Sequence, residues 1–124
     1  MRFPLLFLPC EFEIPDDWWT AAGMEGFTPS GRAYHSTAVA TPVPLREIEP
    51  PLRSPEQPLD WHGFHRARLI SLLKGIAAGA EIEPVVLRGL PPADWPPFRY
   101  SVRDGYHRFY ASVAAGFECL PAVC

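Results

Sequence analysis

The chain has 124 residues, 48% of them apolar, and its 16 aromatics suit one compact domain with a substantial core. Its formal charge is −3 and Lys74 is its only lysine, so composition argues against a protein that coats nucleic acid with a broad basic face, while leaving room for a local arginine pocket. No apolar run is long enough for a membrane helix, and three widely spaced cysteines, Cys10, Cys119 and Cys124, outline neither a disulfide framework nor a zinc cluster.

Residues 1–10 read MRFPLLFLPC. Pro4 and Pro9 interrupt the apolar run and no small-residue cleavage site follows, so the stretch predicts a buried strand or entry segment, continued by residues 11–14, rather than an export signal. Reduced thiols and a cytoplasmic setting are the matching expectation. Asp16 and Asp17, then Trp18 and Trp19, then Gly23 give the order of a short capped helix. Adjacent tryptophans cannot both face inward, so one is expected to be partly exposed, resting on the loop that follows or serving an interaction surface. Residues 27–40 show no period and predict a loop carrying Arg32, Tyr34 and His35.

Residues 43–48 predict a strand, and the prolines of residues 49–55 hold Arg53 and Ser54 on a stiff extended loop. A long helix is expected from about residue 60 to 78, ending at Gly79, with Trp61, Leu69, Leu72, Leu73 and Ile76 as its buried stripe. At 100° per residue, Arg68, Ser71 and Gly75 fall within about 60° of one another along one border of that stripe, a plausible wall for a phosphate. His62 and His65 stand three apart without a third ligand in view, so no metal site is expected. Residues 83–88 predict the next strand, and residues 89–97 a proline-stiffened connection.

The stretch FRYSVRDGYHRFYASVAA, residues 98–115, organises the rest. Phe98, Tyr100 and Val102 alternate with Arg99, Ser101 and Arg103, the period of a strand with one buried side. Asp104 and Gly105 break the strand, Gly as a turn former and Asp as a helix cap. Phe109, Tyr110, Val113 and Ala114 then form an apolar stripe that stops at Gly116. Backbone N–H groups at such a helix start, beside His107 and Arg108, make an anion-binding geometry.

The wording of this motif, Asp104-Gly105-Tyr106-His107-Arg108 followed by Ala111, resembles the ParB/sulfiredoxin superfamily, whose members set a Gly-x-His-Arg or Gly-x-Arg-Arg turn against nucleotide phosphates. The resemblance extends to Gly116-Phe117, to the closing Leu120-Pro121-Ala122-Val123, to Pro84 before an apolar strand, and to the Pro-Pro-x-Arg loop ending at Arg53. It also implies that a basic residue and a serine three positions later on the long helix look toward the nucleotide, positions that Arg68 and Ser71 fit. Gly75 departs from the pattern, standing where a hydroxyl residue is common. The expected fold is α+β, a small mixed sheet packed with two main helices over residues 43–124, with residues 1–42 as an extension packed on it.

The implied site has Gly105 to Arg108 as its anion cradle, with Asp104, Tyr106, Arg68 and Ser71 around it and Arg53 closing it. The implied function is binding of ATP, ADP or CTP, with Mg²⁺ as its companion, extending to nucleotide hydrolysis or phosphoryl transfer. Asp104, Glu49 and Asp60 are the base candidates for that chemistry, and none is singled out. Sulfiredoxin chemistry itself is excluded, because Tyr106 stands where that reaction needs its cysteine. The alternative is a non-catalytic ParB-like interaction module for a protein or DNA-associated partner; direct DNA reading is not expected, since no helix-turn-helix segment follows the closing strand. An exposed Trp18–Trp19 pair would favour that module, and a buried pair the nucleotide pocket.

Overall fold

Three proline-bearing stretches, residues 41–49, 84–89 and 119–123, and one alternating one, residues 100–104, build the sheet around which the helices gather. The computed structural model describes residues 1–5, 11–51, 64–91 and 98–124. Cys10, Arg53, Ser54, Asp60, Trp61 and His62, all invoked above, lie outside them. In chain order come β1 (Arg2–Pro4), β2 (Glu11–Glu13), α1 (Asp16–Ala21), β3 (Thr41–Pro44), a 3₁₀ turn (Leu45–Glu47), β4 (Ile48–Glu49), α2 (Arg66–Ala78), β5 (Val85–Gly89), β6 (Tyr100–Asp104), α3 (Tyr106–Ala115) and β7 (Cys119–Val123). The small α+β fold expected from the sequence is the one observed.

β1 and β2 form a separate antiparallel pair with Phe3 opposite Phe12. Trp18 of α1 is buried, whereas Trp19 is half-buried with its ring centroid 5.4 Å from that of Phe3. The strand β1 thus lies against the second tryptophan. Through Ile14, Trp18, Ala22, Met24 and Tyr34 the first 42 residues join the same core as Val43, Leu69, Leu73, Phe109 and Leu120.

The main sheet has the order β3-β7-β5-β6-β4. β3 runs antiparallel to β7, β7 parallel to β5, β5 antiparallel to β6, and β6 parallel to β4. Followed across the sheet, these pairings make β3 and β4 point the same way, although they occupy opposite edges. Only the three residues Leu45–Glu47 join them. Four residue steps span at most about 14 Å, whereas a flat five-stranded sheet is about 19 Å from edge to edge. The sheet must therefore curl until its two edges approach each other, and the strand expected over residues 43–48 is one bent segment that pairs with β7 by its first half and with β6 by its second.

Pro44 opens the bend, with φ −57° and ψ 130°, and the next N–H, that of Leu45, donates to the Glu118 carbonyl at 2.9 Å. Beyond the 3₁₀ turn the Glu47 carbonyl accepts from Arg99 N–H at 2.8 Å, which delivers the chain to β6. Pro121 is tolerated within β7 because the ladder to β5 begins only at the pair Val85–Ala122.

The long helix starts later than the pattern of apolar residues predicts. Phe64 and His65 are not helical; His65 sits in extended conformation and its Nδ1 accepts from Arg68 N–H at 3.3 Å, capping α2 at Arg66. A side-chain acceptor in that place satisfies one of the N–H groups that a helix start leaves without an intrahelical partner. Leu69, Leu73 and Ile76 are buried as expected, and Leu72 is half-buried. Both α2 and α3 end in left-handed glycines, Gly79 and Gly116. Among the described residues no helix is long and apolar enough to cross a membrane.

Candidate functional site

β6 delivers the chain to α3 through a single residue. Gly105 has φ +131°, and a β-carbon built there would lie 2.4 Å from Val85 Cγ1 and 2.9 Å from Val85 Cβ. The turn therefore requires glycine twice over, for its backbone angle and for the close approach of β5. Gly105 is also the N-cap of α3, and no side chain caps the helix. Asp104, expected to do so, is the last residue of β6; its Oδ2 lies 3.4 Å from Arg108 Nη2, so the guanidinium one turn away takes the carboxylate. The first intrahelical bond runs from Phe109 N–H to the Gly105 carbonyl at 2.9 Å, so the N–H groups of residues 106–108 make no bond within the helix.

Arg108 is a clamp more than a rim donor. Its side chain is 15% exposed, and Nη1 donates to the Pro84 carbonyl at 2.7 Å and the Glu83 carbonyl at 3.3 Å. The same Glu83 carbonyl accepts from the Tyr34 hydroxyl at 2.6 Å. The loop of residues 27–40, the start of β5 and the start of α3 thus meet on one carbonyl. Burial pushes the Tyr34 phenol up to about 12; the Arg108 charge opposes that rise and Glu83 adds to it.

A raised phenol ties folding to the neutral form, so the contribution of Tyr34 is complete below about pH 10, where the unfolded phenol titrates, and is lost as pH rises through 12. Alkaline unfolding of the wild type should accordingly steepen between pH 10 and 12, by about 3 kcal/mol at most. In Tyr34→Phe, thermal unfolding followed over that range should have lost this component.

His107 is buried, and its Nε2 accepts from His65 N–H at 3.0 Å. It was expected to donate to a ligand; through this nitrogen it instead receives a bond from the residue that caps α2. The starts of two helices, of thirteen and ten residues, are therefore joined by one hydrogen bond. Their dipoles present positive ends to the same region. Phe64, Tyr106 and Tyr110 surround the joint, with centroid separations of 5.9 Å for Phe64–Tyr106, 5.4 Å for Phe64–Tyr110 and 5.2 Å for Tyr106–His107.

A cleft of about 320 Å³ opens beside this joint. Of the residues anticipated from the sequence, Arg68, Asp104, Gly105, Tyr106, His107 and Arg108 all line it. Ser71 does not: it is exposed on α2, and Leu72 takes its place in the wall. Gly75, grouped with Arg68 by angle, meets Ile82, whose Cδ1 would lie 3.4 Å from an added β-carbon. Arg53 lies outside the described residues.

Ile82 and Glu83 complete the lining and were not anticipated; they follow α2 by only a few residues but reach the cleft through the bridge of Ser36 to Ile82. In the sequence His65 stands out only as one of a histidine pair at metal-ligand spacing. Its Ser-like role as a cap had no signal in its residue type, and its partner His107 is 42 positions away. Two arginines and two carboxylates face the cleft, but Arg108 is engaged with Asp104 and the backbone, whereas Arg68 is exposed in the first turn of α2.

No family model, curated protein or solved structure matches the chain.

Proposed function

We propose that this cleft binds the phosphate groups of a nucleotide, ATP, ADP or CTP, as the likeness of residues 104–108 to the ParB/sulfiredoxin turn implies. The observation that carries the reading is the meeting of two helix starts around a cleft with Arg68 on its wall. Oriented backbone dipoles and a guanidinium favour an anion where the net charge of the chain does not. At about 320 Å³ the cleft is at the small end of ligand sites, suited to phosphates and an adjoining sugar more than to a wholly enclosed ligand.

Asp104 and Glu83 offer hard oxygen donors to a Mg²⁺ arriving with the nucleotide. Asp104, with a side chain 74% exposed, is the carboxylate best placed to accept a proton if the terminal phosphoryl group is hydrolysed or transferred. The other reading, a ParB-like module that docks a partner through its tryptophans, has less support, since Trp18 is buried and Trp19 rests on Phe3.

Calorimetric titration with ATP, ADP, CTP and GTP, with and without Mg²⁺, tests the proposal. Arg68→Ala should weaken binding about tenfold, the scale of a lost charged hydrogen bond, and leave the melting temperature unchanged. Absence of binding by all four nucleotides at millimolar concentration would overturn it.

A further inference from the structure

The two histidines at the joint are both acceptors. His65 Nδ1 accepts from the backbone N–H of Arg68, and His107 Nε2 accepts from the backbone N–H of His65. An imidazole nitrogen can accept only while it carries no proton, so the two bonds together require both rings to be neutral. The bonds are in series. His107 on α3 holds His65, and His65 in turn holds the first turn of α2, in which Arg68 is the third residue.

We propose that His65 and His107 form a proton-operated latch on the cleft: neutral, they hold the first turn of α2 and Arg68 at its wall; protonated, they release that turn and weaken the anion site. The second half of this inference rests on the anion reading above.

The surroundings support the direction. Among the described residues, the charged groups that line the cleft with His107 are Arg68 on α2, Arg108 on α3, Asp104 at the end of β6 and Glu83 ahead of β5, and Arg66 follows His65 in the chain. Asp104 is engaged with Arg108, and the positive ends of both helices disfavour a further positive charge on either ring. Imidazole is the side chain whose charge ordinarily changes near neutral pH, which sets the range over which the latch is tested. An ordinary phosphate site with histidine donors behaves in the opposite way, because its histidines gain affinity on protonation. The sign of the pH dependence therefore separates the two arrangements.

Two replacements keep the acceptor and remove the titration. His65→Asn supplies a carboxamide oxygen at the cap, where asparagine is among the best residues, and His107→Gln supplies one near the position of Nε2. Without ligand, the melting temperature of the wild type and the hydrogen-exchange protection of Arg68 N–H should both fall between pH 8 and 5. In His65→Asn most of the fall in Arg68 protection should disappear, and in the double variant most of the fall in melting temperature as well. An unchanged fall in His65→Asn, which keeps the buried His107 and does not depend on refilling its place, would overturn the latch.

With ATP, the wild type should lose affinity between pH 7.5 and 5.5 by about tenfold more than the double variant, as expected if about nine tenths of the molecules are released. Protonation of the phosphate itself is common to both proteins and drops out of the comparison. Equal losses, or tighter wild-type binding at pH 5.5, would overturn the coupling to the site. Failure of ATP to bind either protein would count against the anion reading, while the exchange and melting results without ligand would still decide the latch.

Discussion

Gly105→Ala is expected to destabilise the protein by about 3 kcal/mol or more. A residue with a β-carbon at φ +131° is strained by about 1–3 kcal/mol, and the overlap with Val85 adds a core-overpacking cost of about the same size. Neither partner can give way easily. Val85 is buried and paired with Ala122 of β7, and Gly105 joins β6 directly to α3. Chemical denaturation would show a lower midpoint with little change in slope. Gly105→Ala combined with Val85→Ala should recover part of the loss, since the second change opens the space but leaves the backbone strain.

Arg108→Ala is expected to cost about 2–3 kcal/mol of stability, even though its position in the motif invites a purely ligand-binding account. The Pro84 carbonyl loses its guanidinium donor, and the Glu83 carbonyl keeps the Tyr34 hydroxyl but loses its second donor. Thermal unfolding without nucleotide would reveal this, and Arg68→Ala, tested alongside, should not share it. Arg108→Lys should restore less than half, because one ammonium on a flexible stem cannot serve two carbonyls and a carboxylate with a planar fork. Nucleotide affinity should also fall in Arg108→Ala, as a consequence of a displaced α3 start rather than of one lost contact.

The contrast between these two arginines marks what could be read from the sequence. The strand, turn and helix of residues 98–115 were legible because their determinants are local: alternation in β6, the strand break at Gly105, and the stripe of α3. That Gly105 also meets Val85 was not, since the contact joins residues twenty positions apart. Asp104 reads as a cap by residue type, and only the fold reveals that Arg108 outcompetes the helix N–H groups for its carboxylate. On α2, helical angle put Arg68 and Ser71 on one border. Which flank of that border meets α3 depends on how the two helices pack, and Leu72 rather than Ser71 lines the cleft. His65 illustrates the limit most plainly. Imidazole is not a preferred cap, and it serves as one here where the backbone N–H of His65 is held by His107.

The bent segment from β3 to β4 also bears on solubility. An open sheet exposes two rows of unsatisfied backbone groups that can recruit strands from other molecules. Among the described residues one stretch of chain supplies both borders of the main sheet, and each is short: four residues in β3, two of them prolines, and two residues in β4. Pro42 and Pro44 have no N–H to offer a passing strand. A concentrated solution of this protein should therefore resist fibrillar self-association through its main sheet, and replacing the two prolines would supply that border with the donors it lacks.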